Sequence, residues 1–262
     1  MDSSQRYDGD IRALTGASRA AALDALLDGL RSADPRVRDE GAYAAAARWT
    51  PVLEPAERQD LGERVTAYFT HPAVQARAFA PLVLARIAEA GDWHEAWWRP
   101  FADWYPAERD LRGHDAELGW LHAAAHGADL LAVLARRPGQ DPVRLADLAV
   151  ARLLAPTEHL FDAQEDDRLA YALAQILSRP DLGVEESTAW LGPVEKAFRT
   201  GEPGPVPAWA SNTMRTLRML YVLADRGLRT RDTDEPPHLV THREAVLDGL
   251  AGTLAVVAPY TG

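Results

Sequence analysis

The stretch DPVRLADLAVARLL, residues 141–154, shows the pattern that decides the fold of this chain. Asp141 precedes a proline, and a proline at the first position of a helix costs nothing because its missing N–H would have no helical partner there. Apolar side chains then recur at Leu145, Leu148, Ala149 and Leu153, which is helical spacing. The pattern predicts an amphipathic helix with a defined start.

The same spacing continues through nearly the whole chain, whereas alternating runs of β-branched residues are almost absent. Glycine, proline and capping residues divide the chain into segments. The sequence therefore predicts an all-α fold of about eleven helices, with these ranges: 18–32, 35–50, 55–69, 72–90, 92–104, 114–137, 141–154, 163–178, 185–199, 207–227 and 240–257.

Chain length and loop length predict how the helices pack. With 262 residues, the chain is near the upper limit for one core. Short connections favour antiparallel neighbours, and helix pairs at a spacing of about 40 residues are typical of HEAT units. We therefore predict a single domain, residues 1–262, of stacked antiparallel helix pairs in a HEAT-like right-handed α-α superhelix. Residues 1–17 are predicted to be partly flexible, and residues 200–207 and 229–237 to be long loops.

Composition excludes several functions. The chain has no cysteine, so disulfides, thiolate nucleophiles and zinc-thiolate sites are excluded, and a metal would need histidine and carboxylate ligands. A net charge of −11 opposes binding to a phosphate backbone, so nucleic acid is not an expected partner. The sequence has no apolar run of about twenty residues and no basic, apolar leader at its start. We therefore expect a cytoplasmic protein without a membrane partner.

Two histidines stand at helical spacing in DAELGWLHAAAHGADLL, residues 115–131. If this segment is helical, Asp115, His122, His126 and Asp129 fall on one narrow face at about 100° per residue. Alanine and leucine residues make the other faces apolar, so much of the helix is expected to be buried. A buried ionisable group needs a partner, because an unpaired one is costly.

Three interpretations of this face remain open. The histidines form a structural network with carboxylates or backbone carbonyls, or His122 and His126 transfer protons beside Asp129, or the two histidines bind a divalent metal. The HxxxH spacing supplies only two ligands and lacks the glutamate of a zinc-protease helix. A metal would therefore need a third ligand, from Asp129, Glu165 or Asp166.

Other polar residues are candidates for the same surface. Glu165 and Arg168 open a later helix, where capping explains acidic residues, yet stacked helix pairs would bring both toward His126. Asp39 belongs to a charged segment that is interpreted either as interhelical ion pairs or as the far end of this surface. Arg112, in the loop before the histidines, is expected to hold an anionic group.

Two further groups of residues admit a structural and a functional interpretation. Residues Trp93, Trp97, Phe101 and Trp104 share a helical face, a pattern that more often fills a core than forms a pocket wall. Asn212, Arg215 and Arg218 share a face of a later helix and are interpreted as either surface or site.

Five blocks together carry a family resemblance. They are RDEGAY at residues 38–43, DLRG at 110–113, GWLH at 119–122, AHGADLL at 125–131 and EDDRL at 165–169. In order and spacing, from about residue 35 to 225, they resemble the bacterial DUF2785 family of uncharacterised proteins. The resemblance implies an all-helical cytoplasmic protein and brings no activity with it. His114 stands where the family pattern implies an apolar residue, so we leave it out of the predicted site.

Two functions fit these observations. The first is a small-ligand-binding protein or enzyme with a concave polar pocket centred on the 115–129 helix. There His122, His126 and Asp129 would perform general acid/base or metal-assisted chemistry, and the ligand would be bound by Arg112, Glu165, Arg168, Trp120 and Asp39. The alternative is a non-catalytic HEAT-like scaffold that binds a protein or peptide. No serine nucleophile elbow, phosphate loop or dinucleotide fingerprint is present in the sequence.

Overall fold

The computed structural model of the protein describes residues 7, 9–201, 204–229 and 236–260. Most of them lie in helices, which confirms the all-α prediction. The α-helices are α1 Gly16–Leu30, α2 Ala44–Trp49, α3 Pro55–Thr66, α4 Val74–Glu89, α5 Trp98–Ala107, α6 Ala123–Ala135, α7 Pro142–Leu154, α8 Glu165–Leu177, α9 Glu186–Ala189, α10 Leu191–Arg199, α11 Ala208–Arg226 and α12 Arg243–Ala255. A π-helix, Arg36–Tyr43, leads into α2. Two short antiparallel strands, β1 His114–Asp115 and β2 Gly119–Trp120, form a hairpin before α6.

The chain divides into two compact units, Met1–Leu130 and Leu131–Gly262. The single domain and the HEAT-like superhelix stay predictions. Parts of both predicted long loops, 202–203 and 230–235, lie outside the described residues, as do 1–6 and 8 of the N-terminal segment. Within that segment the side chains of Tyr7 and Ile11 are buried, so this part of the segment packs into the core of the first unit, to which it belongs.

Local sequence explains where the helices begin. At α7 the Asp141 carboxylate accepts a hydrogen bond from the N–H of Val143, and a proline occupies the first helical position, as the sequence predicts. At α3 the side chains of Glu54 and Glu57 form a capping box. These caps satisfy N–H groups that a helix cannot satisfy itself.

The first unit packs around α4, which is buried along most of its length. Trp97, Phe101 and Trp104 are buried, in agreement with the core interpretation of the aromatic group. Tyr105 is buried beside them and donates a hydrogen bond to the carbonyl of Ala124, at 2.6 Å, at the start of α6. The aromatic core therefore fixes the position of the segment that carries the histidines.

The second unit packs chiefly through α8 and α11. The buried amide of Asn212 on α11 accepts from the N–H of Phe161 and donates to the carbonyl of His159, each at 2.9 Å. Arg215 donates to the Phe161 carbonyl at 2.5 Å and pairs with the buried Asp166 at 2.8 Å. On sequence alone, Asn212 and Arg215 are interpreted as either surface residues or site residues. In the structure both hold the loop before α8 in place. Among the described helices, none is long and apolar enough to cross a membrane.

The predicted helix 114–137 is wrong in its first third. Residues 114–120 form the hairpin, and α6 begins only at Ala123. The Asp115 carboxylate accepts from the N–H groups of Glu117 and Leu118, each at 2.9 Å, so it closes a turn that competes with a helix. Gly119 then adopts a φ of +70°, which suits glycine and ends any helical run. Asp115 is therefore not on a helical face with the histidines.

Candidate functional site

One buried side chain, that of Arg38, fastens the hairpin to the π-helix. Its guanidinium donates to the backbone carbonyls of Leu118 at 2.6 Å and Trp120 at 3.1 Å. It also donates to the carbonyl of Ser32 at 3.2 Å and to the Asp39 carboxylate at 2.7 and 3.3 Å. Arg38 has no exposed surface, and a buried charge persists only when it is paired and hydrogen-bonded in this way.

Arg38 and Asp39 both lie on the π-helix Arg36–Tyr43. Such helices are rare, and short π-helical turns occur frequently at functional sites. Burial raises the pKa of the Asp39 carboxyl above its ordinary value, although Arg38 donates to it. The ion pair in this segment joins neighbours in sequence, whereas one interpretation of the sequence placed such pairs between helices. Asp39 stays a predicted ligand contact.

Trp120 and His122 stack face to face beside the hairpin. Their ring centroids are 4.6 Å apart and their planes differ by 5°. His114, on the opposite strand, meets Trp120 edge-on at 4.8 Å. The φ of His122 is +50°, in the left-handed region that residues other than glycine rarely occupy. The N–H of His122 donates to the carbonyl of Arg112 at 3.2 Å, which holds this strained backbone in place.

His126 lies in the first turn of α6 and is buried. Its Nδ1 is 2.9 Å from the carbonyl oxygen of Ala78 on α4. A carbonyl only accepts, so Nδ1 carries the proton, and Nε2 holds the lone pair when the ring is neutral.

Five rings contact one another in series, and we call them the ring row: His114, Trp120, His122, His126 and Phe79. The centroid distances are 5.7 Å from His122 to His126 and 5.2 Å from His126 to Phe79. The exposed fraction falls from 50% at Trp120 to 8% at His126 and 3% at Phe79. The ring row therefore extends from the surface into the core of the first unit, and three of its rings are imidazoles. Imidazole is the side chain that gains and loses protons most readily near neutral pH.

A buried carboxylate, that of Glu108, anchors the segment that leads into the hairpin. It accepts from Arg77 at 2.6 and 2.9 Å and from the indole N–H of Trp104 at 2.7 Å. The backbone N–H groups of Arg109 and Asp110 donate to it as well, each at 3.0 Å. Burial acts to raise the pKa of Glu108, but the hydrogen bonds from Arg77, Asp110 and Trp104 outweigh it and hold that pKa below its ordinary value.

We expect Glu108→Gln to lower the free energy of unfolding at pH 7 by about 2 kcal/mol, because an amide loses the charge-assisted bonds from Arg77. The pKa of Glu108 is lowered in the folded protein, so its ionisation stabilises the fold above the ordinary value of 4.5. That stabilisation is lost as the pH falls through the folded pKa. The difference between wild type and variant should therefore shrink below about pH 5, as measured by urea unfolding at several pH values.

The exposed Glu117 provides the matched control for this prediction. Glu117→Gln should change the free energy of unfolding by no more than about 0.5 kcal/mol. A difference for Glu108→Gln that stays constant from pH 7 to pH 3 would contradict the assignment of the stabilisation to the charged carboxylate.

Arg112 is held by two carboxylates at the base of the hairpin. It pairs with Asp110 at 2.6 Å and with Asp115. The hydrogen bond to Asp110 is the main cause that raises the pKa of Arg112 above its ordinary value. The sequence assigned Arg112 to an anionic group of a ligand. In the structure these two carboxylates of the protein itself already engage its guanidinium.

The remaining predicted site residues lie in both units. Asp129 is half-buried on α6, three residues after His126. Glu165 and Arg168 lie in the first turn of α8, in the second unit. Glu165 is fully buried and accepts from the N–H of Ala163, which precedes the helix, at 2.9 Å. A shared site of Glu165 and Arg168 with His126 stays a prediction.

The predicted metal site lacks a third ligand in the part of the chain that the structure describes. There, no three His, Asp or Glu side chains lie close enough together to hold an ion. The premise of the prediction also fails, because His122 precedes α6 and does not lie on a helical face with His126. The two histidines nevertheless contact each other through their rings.

Sequence reasoning missed Phe79, Arg77 and Glu108. Phe79 is one apolar residue among many on α4, and nothing in the sequence distinguishes it. Arg77 and Glu108 are 31 positions apart, so no local pattern joins them. One signal was available: Trp104 and Glu108 are four residues apart, a spacing that brings two side chains together on a helix.

The fold and the site together define a class of protein: an all-α chain whose buried arginine fixes a short hairpin beside a row of aromatic and imidazole rings. A family model described as "Protein of unknown function (DUF2785)" matches residues 70–222, which is more than half of the chain. The chain belongs to this family, which confirms the resemblance seen in the sequence. The match includes the hairpin, α6 and α8, whereas the RDEGAY block at 38–43 lies outside it. No curated protein and no solved structure matches the chain.

Proposed function

We propose that this protein binds a small ligand beside the ring row and that His122 and His126 exchange protons with it. The observation that carries the proposal is the strained backbone of His122, which holds one imidazole between the half-exposed Trp120 and the buried His126. Strained residues of this kind persist where the surrounding structure fixes them, and they cluster at ligand sites. The adjoining π-helix is a second feature of the same kind.

The two histidines have different chemical environments. The Nδ1 proton of His126 is directed to the carbonyl of Ala78, so Nε2 is the nitrogen that accepts a proton from a neighbouring group. His122 lies closer to the surface and stacks on Trp120, so it is placed to exchange protons with solvent. A ligand that donates a proton to, or accepts a proton from, these imidazoles suits general acid/base chemistry. Asp129 is a candidate to orient an imidazole, because a carboxylate on a ring nitrogen fixes the tautomer.

We expect replacement of either histidine to weaken ligand binding by about 10-fold, the effect of losing one hydrogen bond to a ligand. The test is a small-molecule library screened against the isotope-labelled protein, with the ring signals of the histidines followed by NMR. At least one compound class should shift the signals of both His122 and His126, and its affinity should fall in His122→Gln and His126→Gln.

His242 gives the matched control, because its Nε2 also lies 2.8 Å from a backbone carbonyl, that of Leu182. His242→Gln should bind the same compounds as the wild type. Circular dichroism would establish that each variant is folded. A library in which no compound moves the ring signals of His122 and His126 would refute the proposal and favour the non-catalytic scaffold.

A further inference from the structure

The exposed Trp120 indole limits the chemical class of ligand that fits beside the ring row. Its exposure is a fixed property of the fold, since Arg38 binds the carbonyls of Leu118 and Trp120 and the intervening Gly119 packs against Pro35. A side chain at Gly119 would place its Cβ 2.8 Å from the Cβ of Pro35, so the hairpin packs directly against the residue that precedes the π-helix. An aromatic ring that is held in one position and partly exposed can stack on a ring of a ligand without first being ordered.

The geometry of the row favours a flat ligand. His122 lies parallel to Trp120 with its centroid 4.6 Å away, and His114 meets the indole edge-on, so both neighbours already pack as aromatic partners do. Half of the Trp120 surface remains exposed beside them. A planar ring placed against the exposed part of the indole packs on it as an aromatic partner, and imidazole nitrogens nearby donate to or accept from heteroatoms on its edge.

The charges next to the hairpin argue against an anionic ligand. The guanidinium of Arg38 is bonded to Asp39, and that of Arg112 is bonded to Asp110 and Asp115. The charges of these two guanidinium groups are therefore neutralised by carboxylates of the protein itself. A phosphate or carboxylate on the ligand would be repelled by the carboxylates of Asp39, Asp110 and Asp115. The guanidinium groups of Arg38 and Arg112 are already paired with these carboxylates and would not offset the repulsion.

We infer that the ligand of this site is a planar heteroaromatic ring that is uncharged or cationic. This inference rests on the proposed function and adds the class of ligand to it. Trp120 supplies the stacking surface, and His122 supplies the nearest polar ring. Stacking of a ring on an aromatic side chain typically accounts for about 10-fold or more in affinity.

A set of four probes of similar size separates planarity from charge. Nicotinamide is planar and neutral, 1-methylnicotinamide is planar and cationic, nicotinate is planar and anionic, and cyclohexanecarboxamide is neutral but not flat. Each would be titrated into the labelled full chain while the indole N–H signal of Trp120 and the ring signals of His122 and His126 are recorded. The two planar probes without negative charge should bind at least about 10-fold more tightly than the other two.

Trp120→Leu should abolish this preference while the fold persists, because Arg38 binds the backbone carbonyl of Trp120 and not its ring. Trp209→Leu is the control, since Trp209 also stacks on an aromatic ring, that of Phe198, on a different helix pair. It should leave the binding of all four probes unchanged.

Three results would overturn the inference: nicotinate binding as tightly as nicotinamide, the saturated amide binding as tightly, or Trp120→Leu binding as well as the wild type. If no probe binds but other library compounds shift the signals of His122 and His126, this inference fails and the proposed function stands. If neither the probes nor the library shifts those signals, both fail.

Discussion

Arg38→Met should lower the free energy of unfolding by about 4 kcal/mol, the largest loss that we expect from a single substitution in the first unit. Methionine fills a similar volume but leaves the Asp39 carboxylate and the carbonyls of Ser32, Leu118 and Trp120 without their shared donor. A buried partner that loses its counterpart bears the full cost of desolvation. Urea unfolding followed by circular dichroism measures the loss.

Arg36→Met is the matched control two positions earlier on the same π-helix. The side chain of Arg36 is 75% exposed and lies 3.3 Å from Asp34, so its replacement should cost less than about 1 kcal/mol. Arg38→Lys should recover only part of the loss, because an ammonium cannot reproduce the planar fork that serves several acceptors. Equal stability of Arg38→Met and Arg36→Met would show that Arg38 does not fasten the hairpin.

Gly127→Ala should destabilise the protein by about 3 kcal/mol although it adds a single methyl group to a helix. A Cβ at Gly127 would lie 2.0 Å from Cε2 of Tyr105, a distance that no pair of non-bonded carbon atoms tolerates. The Tyr105 ring would have to move, and its hydroxyl would lose the 2.6 Å bond to the carbonyl of Ala124. The expected result is a lower urea midpoint with an unchanged slope.

Gly252→Ala provides the comparison for a helical glycine with free space around it. Among the described residues, nothing outside the adjoining backbone of α12 lies within 4 Å of a Cβ built at Gly252, so alanine should stabilise that helix by up to about 1 kcal/mol through its higher helix propensity. If Gly127→Ala were stabilising as well, the close packing of Tyr105 on α6 would be disproved.

Most of the helices could be predicted because their signals are local. The predicted range 141–154 and the observed Pro142–Leu154 nearly coincide, since Asp141 and the apolar spacing act within a few residues of each other. The predicted range 207–227 and the observed Ala208–Arg226 agree for the same reason. The family could also be predicted, because its motifs are short and ordered along the chain.

The hairpin could not be predicted from helical periodicity. The residues at 115, 122, 126 and 129 satisfy helical spacing by coincidence, and the carboxylate of Asp115 closes a turn that this periodicity does not register. The sequence placed His122 and His126 in one site, and their rings do contact each other. The reason for that prediction, a shared helical face, was wrong. His122 has a left-handed backbone conformation and stacks on Trp120.

The contact between Arg38 and the hairpin joins residues that are 80 positions apart in the sequence. Strands of two residues are far too short to persist alone, so the hairpin depends on this partner to exist. Because contacts between distant residues close a long loop, we expect the hairpin to form late in the folding of the first unit. The surface that we propose for the ligand is therefore completed only when distant parts of the unit have already met, and a ligand that binds there would select fully folded molecules over partly folded ones.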